Sequence, residues 1–272
     1  MLLGGRVDRI DDFLLKNIEP PSTTLPILAI PTTCSGSEVA AGAILTDEAR
    51  QFKGGIRGVA IIPRIALVDP LLSVTVTEEI TKISGFDVLT HAFETFMAKK
   101  ANPFSEMLSK ESLRIIINTL PCLLKDLKNV NLRSQMSCAA SMAGINLINV
   151  GTCLPHRLQY ALGASNDVPH GLGLAMIYPY WIKRLRQENP GKVQALKDIL
   201  GSAPLDRIVQ FLESLALDKL VKDQYRICEG IKTVSSRVSG NLDNDPIYRD
   251  GIAEEIITEM VKNKELICKP SF

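Results

Sequence analysis

The sequence lacks C-x-x-C pairs, long uncharged apolar runs, internal repeats and low-complexity tracts, and it carries almost no net charge. Each absence narrows the reading. The six cysteines (Cys34, Cys122, Cys138, Cys153, Cys228, Cys268) are scattered. With no export signal, they are expected to be reduced thiols in a cytoplasmic protein. The apolar stretch from Val59 to Leu72 is interrupted by Arg64, Asp69 and prolines, and no run reaches the length of a membrane-spanning helix. Met1-Leu2-Leu3-Gly4-Gly5 is too short for the apolar region of a signal peptide. A net charge of +1 gives no basis for a nucleic-acid or acidic-membrane partner. With 46% apolar and 22% charged residues the chain is not disordered, and 272 residues suffice for one large domain or two modest ones.

Histidine is scarce as well, and its placement is informative. The three are His91, His156 and His170. Asp87 and His91 are four residues apart in Gly85-Phe86-Asp87-Val88-Leu89-Thr90-His91-Ala92-Phe93-Glu94, so on a helix both leave the same face one turn apart. Alone, the pair also fits an ordinary helix-surface contact. With His156 and His170 added, one carboxylate and three imidazoles make a full tetrahedral N/O set, or an open site if water or substrate also binds. Iron or zinc suits such a set. Cys153 precedes His156 by three residues, but the set is complete without it.

The order of the motifs resembles the iron-containing (group III) alcohol dehydrogenases. Gly85-Phe86-Asp87-Val88-Leu89-Thr90-His91-Ala92-Phe93-Glu94 is similar to that family's G-x-D-A-L-T-H-A-x-E segment. Pro31-Thr32-Thr33-Cys34-Ser35-Gly36-Ser37-Glu38 resembles its P-T-T-x-G-S-E signature, in the shorter form of maleylacetate reductase-like members. Asp69-Pro70, Ala101-Asn102-Pro103 and Pro169-His170-Gly171 follow in the family's order. The resemblance covers roughly Leu25 to Pro179 and continues weakly beyond.

The resemblance implies a dehydroquinate synthase-like fold: an α/β N-terminal part with an incomplete Rossmann-like sheet, followed by an all-helical bundle. It makes Asp87, His91, His156 and His170 ligands of Fe2+ or Zn2+, and Thr32, Thr33, Ser37 and Lys53 contacts to NAD or NADP. It further implies interconversion of an alcohol with an aldehyde or ketone, the metal polarising the substrate oxygen for hydride transfer. Gly4-Gly5-Arg6-Val7 resembles what is left of the family's phosphate loop, with Arg9 where the family has aspartate. The family's first strands precede this loop, so the chain reads as a truncated or divergent member. A second function is therefore kept open: a metal-binding, inactive or regulatory member without a complete cofactor site.

The family also has a histidine four residues after the first bundle histidine, in the manner of a proton relay. Tyr160 stands there and is the candidate catalytic residue, although an unperturbed phenol titrates near 10. Tyr160 can equally be a packing residue. Arg157 is either a contact for an anionic substrate or a surface charge. Glu94 is either a partner of a ligand or part of a solvated helix face.

Local pattern places the elements. Strands are expected at Leu25 to Ile30, buried and ended by Pro31, and at Ala41 to Thr46 and Gly58 to Ile62, flanking a polar turn that holds Lys53. Another buried strand is expected at Ile65 to Pro70. Thr77-Glu78-Glu79 predicts a helix start. Helices follow at Gly85 to Lys99, Pro103 to Leu120, Leu132 to Val150, Tyr178 to Arg186, Gly191 to Leu200, Leu205 to Leu215 and Ile252 to Lys262. Pro155 and Pro169 predict helix starts just before His156 and His170, the latter on a turn. A boundary near Leu72 to Val76 divides a partial dinucleotide-binding domain (1–75) from a helical metal-binding domain (76–272). Exposed apolar strand faces would favour a homo-oligomer.

Overall fold

The computed structural model of the chain describes residue 13 and residues 22–188, 190–220 and 231–262. Gly4-Gly5-Arg6-Val7 and Arg9 lie outside the described residues. Among the described residues the strands are β1 (Leu28–Ala29), β2 (Gly42–Asp47), β3 (Phe52–Arg57) and β4 (Ile65–Ala66). β1 and β4 pair in parallel, Leu28 opposite Ile65 and Ala29 opposite Ala66. β2 and β3 form an antiparallel hairpin from Gly42 opposite Arg57 to Asp47 opposite Phe52.

The strands depart from expectation in two ways. No strand occupies Gly58 to Ile62; Val59–Ile61 is a 3-10 turn, and the strand lies earlier, at Phe52–Arg57. Lys53 is therefore a ladder residue opposite Thr46 rather than part of a turn. Gly54 and Gly55 weaken strand propensity there, but pairing along the whole of β2 overrides it. The hairpin turn is held by Asp47, whose carboxylate accepts from the Arg50 backbone N–H at 3.1 Å. Secondly, the runs around β1 and β4 are not buried. Leu25, Leu28, Ile30, Ile65 and Leu67 are exposed, because among the described residues these two short strands pair with each other alone and no layer covers them.

The helices begin where side chains can cap them. α1 (Glu78–Met97) starts at Thr77, whose hydroxyl accepts from the Ile80 N–H at 3.3 Å, with Glu78 and Glu79 complementing the helix dipole. It runs unbroken through the segment expected to begin at Gly85. α2 (Pro103–Leu123) starts at an Asn102–Ser105 capping box, and α3 (Val130–Asn149) starts at Asn129. α4 (Leu154–Asn166) and α5 (His170–Glu188) each follow a break in the chain. The helix expected at Gly191 to Leu200 is instead three short turns, Pro190–Val193, Gln194–Leu196 and Lys197–Leu200. Leu196, at ψ 4°, interrupts the ladder while Leu196 and Leu200 stay buried. α6 (Pro204–Leu215), α7 (Ile231–Ser236) and α8 (Ile252–Lys262) complete the bundle.

α1 is the axis of this bundle. From Gly85 to Met97 every residue is buried, so the helix is surrounded rather than amphipathic. Phe86 and Phe93 pack against Tyr178 and Trp181 of α5, with ring centroids 5.5 to 6.5 Å apart. The loop after β1 is docked on α3 by two glycines. Gly36 sits at φ 82°, and a Cβ on Gly144 would overlap its carbonyl oxygen. The fold is thus an α/β part with an incomplete sheet followed by a helical bundle. Among the described residues no single helix is long and apolar enough to cross a membrane.

Candidate metal centre

Four side chains from three helices converge beside α1. Asp87 and His91 project from the middle of that helix, His156 is the third residue of α4, and His170 is the first of α5. The Asp87 Oδ1 atom lies 3.6, 3.7 and 3.4 Å from Nε2 of His91, His156 and His170. One donor atom from each residue lies within 4.8 Å of all the others. His91 and His156 stack at 4.7 Å between centroids, and His156 and His170 tilt against each other at 5.2 Å. The sequence expectation that these four meet is matched by the geometry.

Three atoms in this group are buried without a hydrogen-bond partner: Asp87 Oδ1, His156 Nε2 and His91 Nδ1. Orphaned atoms of this kind are costly unless a further species satisfies them. The outer nitrogens of two rings are already engaged. His156 Nδ1 is 2.8 Å from Glu94 Oε1, and His170 Nδ1 is 2.5 Å from Gln159 Oε1. An N–H on Nδ1 donating outward leaves an Nε2 lone pair aimed inward. A hard–borderline donor set of one carboxylate oxygen and three imidazole nitrogens, pre-oriented in this way, fits a divalent cation such as Fe2+ or Zn2+.

The group's electrostatics follow from burial and mutual charge. Burial raises the Asp87 carboxyl, but the imidazoles of His91, His170 and His156 reverse this and hold it well below the carboxylate range. Burial lowers His91 and takes His170 down to about 3. For His156 burial is outweighed by Glu94 and Asp87, and the imidazole rises to about 9.

Glu94 is fully buried, not on a solvated face. Its second oxygen accepts from the Cys153 N–H at 2.8 Å, so one carboxylate orients both His156 and the turn before it. Cys153 points away from the group, its thiol donating to the Glu94 carbonyl at 3.3 Å, and burial pushes that thiol well up. The turn is held from the other side by Asn244 and Asp245. Asn244 Nδ2 donates to the Val150, Gly151 and Thr152 carbonyls at 3.0 to 3.3 Å. Asp245 accepts from the Leu154 N–H at 2.8 Å, the Trp181 indole at 3.0 Å and the Ile247 N–H at 2.9 Å. Gln159, Asn244 and Asp245 carry no local signal in the sequence. The family resemblance pointed only to Tyr160 in this stretch.

Tyr160 is buried, its ring stacked on His170 at 5.9 Å and edge-on to His156 at 6.5 Å. Burial pushes its phenol up, and Arg157 beside it does not bring it back. Arg157 is not a surface charge; it is 4% exposed, with its guanidinium carbon 5.4 Å from the centre of the Tyr160 ring. Lys53 is half-buried and its amine is lowered by burial, with Asp167 and Asp87 opposing. Its charge in turn contributes to the lowering of His170. Thr32 and Ser37 are exposed and Thr33 half-buried, in the loop after β1. Ser37 exchanges a 3.2 Å hydrogen bond with Ser35, and Glu38 anchors the loop by accepting from Ser141 at 2.7 Å.

A carboxylate and three imidazoles converging in a helical bundle that follows a small α/β part define a class: two-part α/β and helical proteins with a buried O/N donor group. Residues 81–238 match the family described as Fe-containing alcohol dehydrogenase family, C-terminal, and residues 2–70 match iron-containing alcohol dehydrogenase. The chain belongs to the iron-containing alcohol dehydrogenase family. It is 28% identical to a probable NADH-dependent butanol dehydrogenase 1 of Bacillus subtilis (strain 168), covering 81% of this chain and 62% of that one. It is 32% identical to the maleylacetate reductase of Rhizobium sp. (strain MTP-10005), covering 66% and 50% respectively. A crystal structure of an iron-containing alcohol dehydrogenase from Thermotoga maritima superposes with a TM-score of 0.76 at 27% identity, covering 94% of this chain and 67% of that one. The chain spans about half to three fifths of the length of these curated relatives.

Proposed function

We propose that the chain acts as a metal-dependent, NAD(P)-linked oxidoreductase that interconverts an alcohol and an aldehyde or ketone. The observation that carries this reading is the convergence of Asp87 Oδ1 with three imidazole nitrogens, two of the four atoms buried and unpartnered. Asp87, His91, His156 and His170 would hold Fe2+ or Zn2+. Such an ion supplies Lewis acidity, polarising a carbonyl or favouring ionisation of a hydroxyl. NAD or NADP supplies the hydride acceptor or donor, two electrons and a proton's worth of hydrogen moving as one unit. Relatives named as NADH-dependent and NAD-dependent dehydrogenases favour the unphosphorylated cofactor.

The chain's own residues have separable tasks in this reading. Glu94 and Gln159 fix the tautomers and ring planes of His156 and His170. Tyr160, kept protonated by burial, presents its hydroxyl as a donor toward the reacting oxygen and gives a proton when a carbonyl is reduced. Lys53 places a cation near the group for the cofactor, and the hydroxyls of Thr32, Thr33 and Ser37 are available for its amide and ribose. Residues 1–75 serve as a partial dinucleotide-binding domain and 76–272 as the helical metal-binding domain, a division supported by the change from strands to α1 between Ile65–Ala66 and Glu78. The substrate is small, the location cytoplasmic, and a homo-oligomer would cover the exposed Leu28, Ile65 and Leu67.

The test is fluorescence titration of the Fe2+- or Zn2+-loaded chain with NADH and NADPH, followed by a screen of short alcohols and aldehydes. Micromolar binding with turnover is the expected result. No binding at millimolar cofactor, with metal retained, leaves the other reading: a metal-binding, inactive or regulatory member of the family.

A further inference from the structure

Buried arginines in this protein can be compared directly. Arg133, 2% exposed, donates from Nε to the Leu127 carbonyl at 2.9 Å, and from its two terminal nitrogens to Thr81 Oγ1 and the Val76 carbonyl, each at 3.0 Å. Its guanidinium is fully occupied. Arg157, 4% exposed, is not. Nη2 donates to Thr152 Oγ1 at 3.2 Å, while Nε is buried with no acceptor, and Arg157 forms no ion pair among the described residues. A buried guanidinium without a counter-charge is strongly disfavoured unless something else supplies one.

Among the described residues no carboxylate pairs with it: Glu94 acts on it only from beyond ion-pair distance, and Arg57 adds positive charge. Gly240, at φ 102°, faces the guanidinium, and a Cβ there would sit 3.4 Å from Nη1. Arg57, exposed on β3, lies close enough for its charge to act on both Arg157 and Tyr160. On its other side Arg157 covers the Tyr160 ring, which stacks on His170. The same ring is therefore in contact with the unpaired guanidinium and with one of the four converging residues.

We propose that Arg157, with Thr152 beside it and Arg57 adding positive charge, is a subsite for a carboxylate carried by the substrate. The molecule handled at the metal group is then a short hydroxy acid or oxo acid rather than a neutral alcohol or aldehyde. This rests on the oxidoreductase reading given above. A carboxylate accepts from the fork of Nε and Nη2 together, satisfying the orphaned donor and neutralising the buried charge in one contact. The subsite fixes which end of the substrate faces the donor group, and so discriminates between carbonyl compounds of equal length.

The experiment compares aldehydes matched in carbon count: glyoxylate against acetaldehyde, and succinic semialdehyde against butanal. The metal-loaded wild type, Arg157→Met and Arg157→Lys are assayed with NADH. The wild type is expected to favour at least one acid by roughly 30- to 100-fold in kcat/KM, the scale of a charge-assisted hydrogen-bonded contact. Arg157→Met should bring that ratio near one, and Arg157→Lys should retain part of it. A wild-type ratio near one for both pairs, or a ratio unchanged in Arg157→Met, overturns the proposal. A second arm needs no turnover: succinate is titrated calorimetrically into the same metal-loaded proteins, with thermal unfolding confirming that each is folded. Binding to wild type but not to Arg157→Met supports the subsite even if no aldehyde is reduced, in which case only the oxidoreductase reading fails. No succinate binding to wild type overturns it. Loss of NADH affinity in Arg157→Met with an unchanged acid preference assigns the anion to the cofactor and overturns it too.

Discussion

Replacing Asp245 with asparagine changes two atoms and should disturb the site from a distance. Asp245 is fully buried and receives three N–H groups: Leu154 and Trp181 on Oδ2, Ile247 on Oδ1. Asparagine has one acceptor oxygen. In the better of its two orientations that oxygen keeps Leu154 and Trp181, and the amide nitrogen then faces the Ile247 N–H, donor against donor. One buried backbone donor is orphaned, and the new amide hydrogens gain no acceptor among the described neighbours. At about 1–3 kcal/mol for each unsatisfied buried group, the substitution should cost about 2–5 kcal/mol of stability. Because Leu154 opens α4, some of this strain is transmitted to His156, so affinity for Zn2+ or Co2+ should fall as well. Urea unfolding of the metal-free chain measures the first effect, and titration with a competing chelator measures the second. Stability within 0.5 kcal/mol of wild type, the usual range for inconsequential surface changes, would refute the argument that this carboxylate works as a three-way acceptor.

Other outcomes follow from the same geometry. Glu94→Gln removes the charge facing His156 Nδ1 and forces one amide to serve both the ring and the Cys153 N–H. Metal affinity should drop roughly 10- to 100-fold by chelator competition, with little change in far-UV circular dichroism. Gly144→Ala places a methyl on the Gly36 carbonyl. It should destabilise by about 1–3 kcal/mol and weaken NAD(P)H binding while leaving metal affinity near wild type, because it displaces the Thr32-to-Glu38 loop and not α1. In the metal-free chain His156 is raised from 6.5 to about 9. Its contribution to stability is therefore fully present below about pH 6.5 and lost as pH rises through about 9. Metal competes with that proton, so apparent metal affinity should increase by about tenfold per pH unit across this window. A flat affinity between pH 7 and 9 would contradict the assignment.

The donor group was legible in the sequence because it depends on scarcity and local spacing. Three histidines leave no competitors, Asp87 and His91 share a helix face by periodicity alone, and Pro155 and Pro169 mark the starts of α4 and α5. The helix cap at Thr77 was legible for the same local reason. The strands were less so. β3 runs through Gly54 and Gly55, residues that read as a turn until β2 pairs with them, and β1 and β4 are two residues each, paired with one another among the described residues. The residues that orient the ligands were not legible. Gln159 meets His170 across eleven residues and Asp245 meets Leu154 across ninety-one, and such contacts leave no pattern in a single sequence. Arg157 could be read either as a contact for an anionic substrate or as a surface charge, because residues that lie against it, such as Gly240, are remote in the chain.

The grip of Asn244 and Asp245 on residues 150–154 also ties distant parts of the chain together. Helices α1, α2 and α3 follow one another in the chain and pack on each other, so these mutual contacts are of short sequence range, unlike those of α1 with α5. The first turn of α4 is held at long range. The Leu154 amide and the carbonyls of residues 150–152 meet Asp245 and Asn244 only once those residues have been made, whereas Asp87, His91 and Glu94 of α1 precede His156 in the chain. The turn that carries His156 is therefore closed by a side chain ninety-one residues further along the chain than the amide it holds.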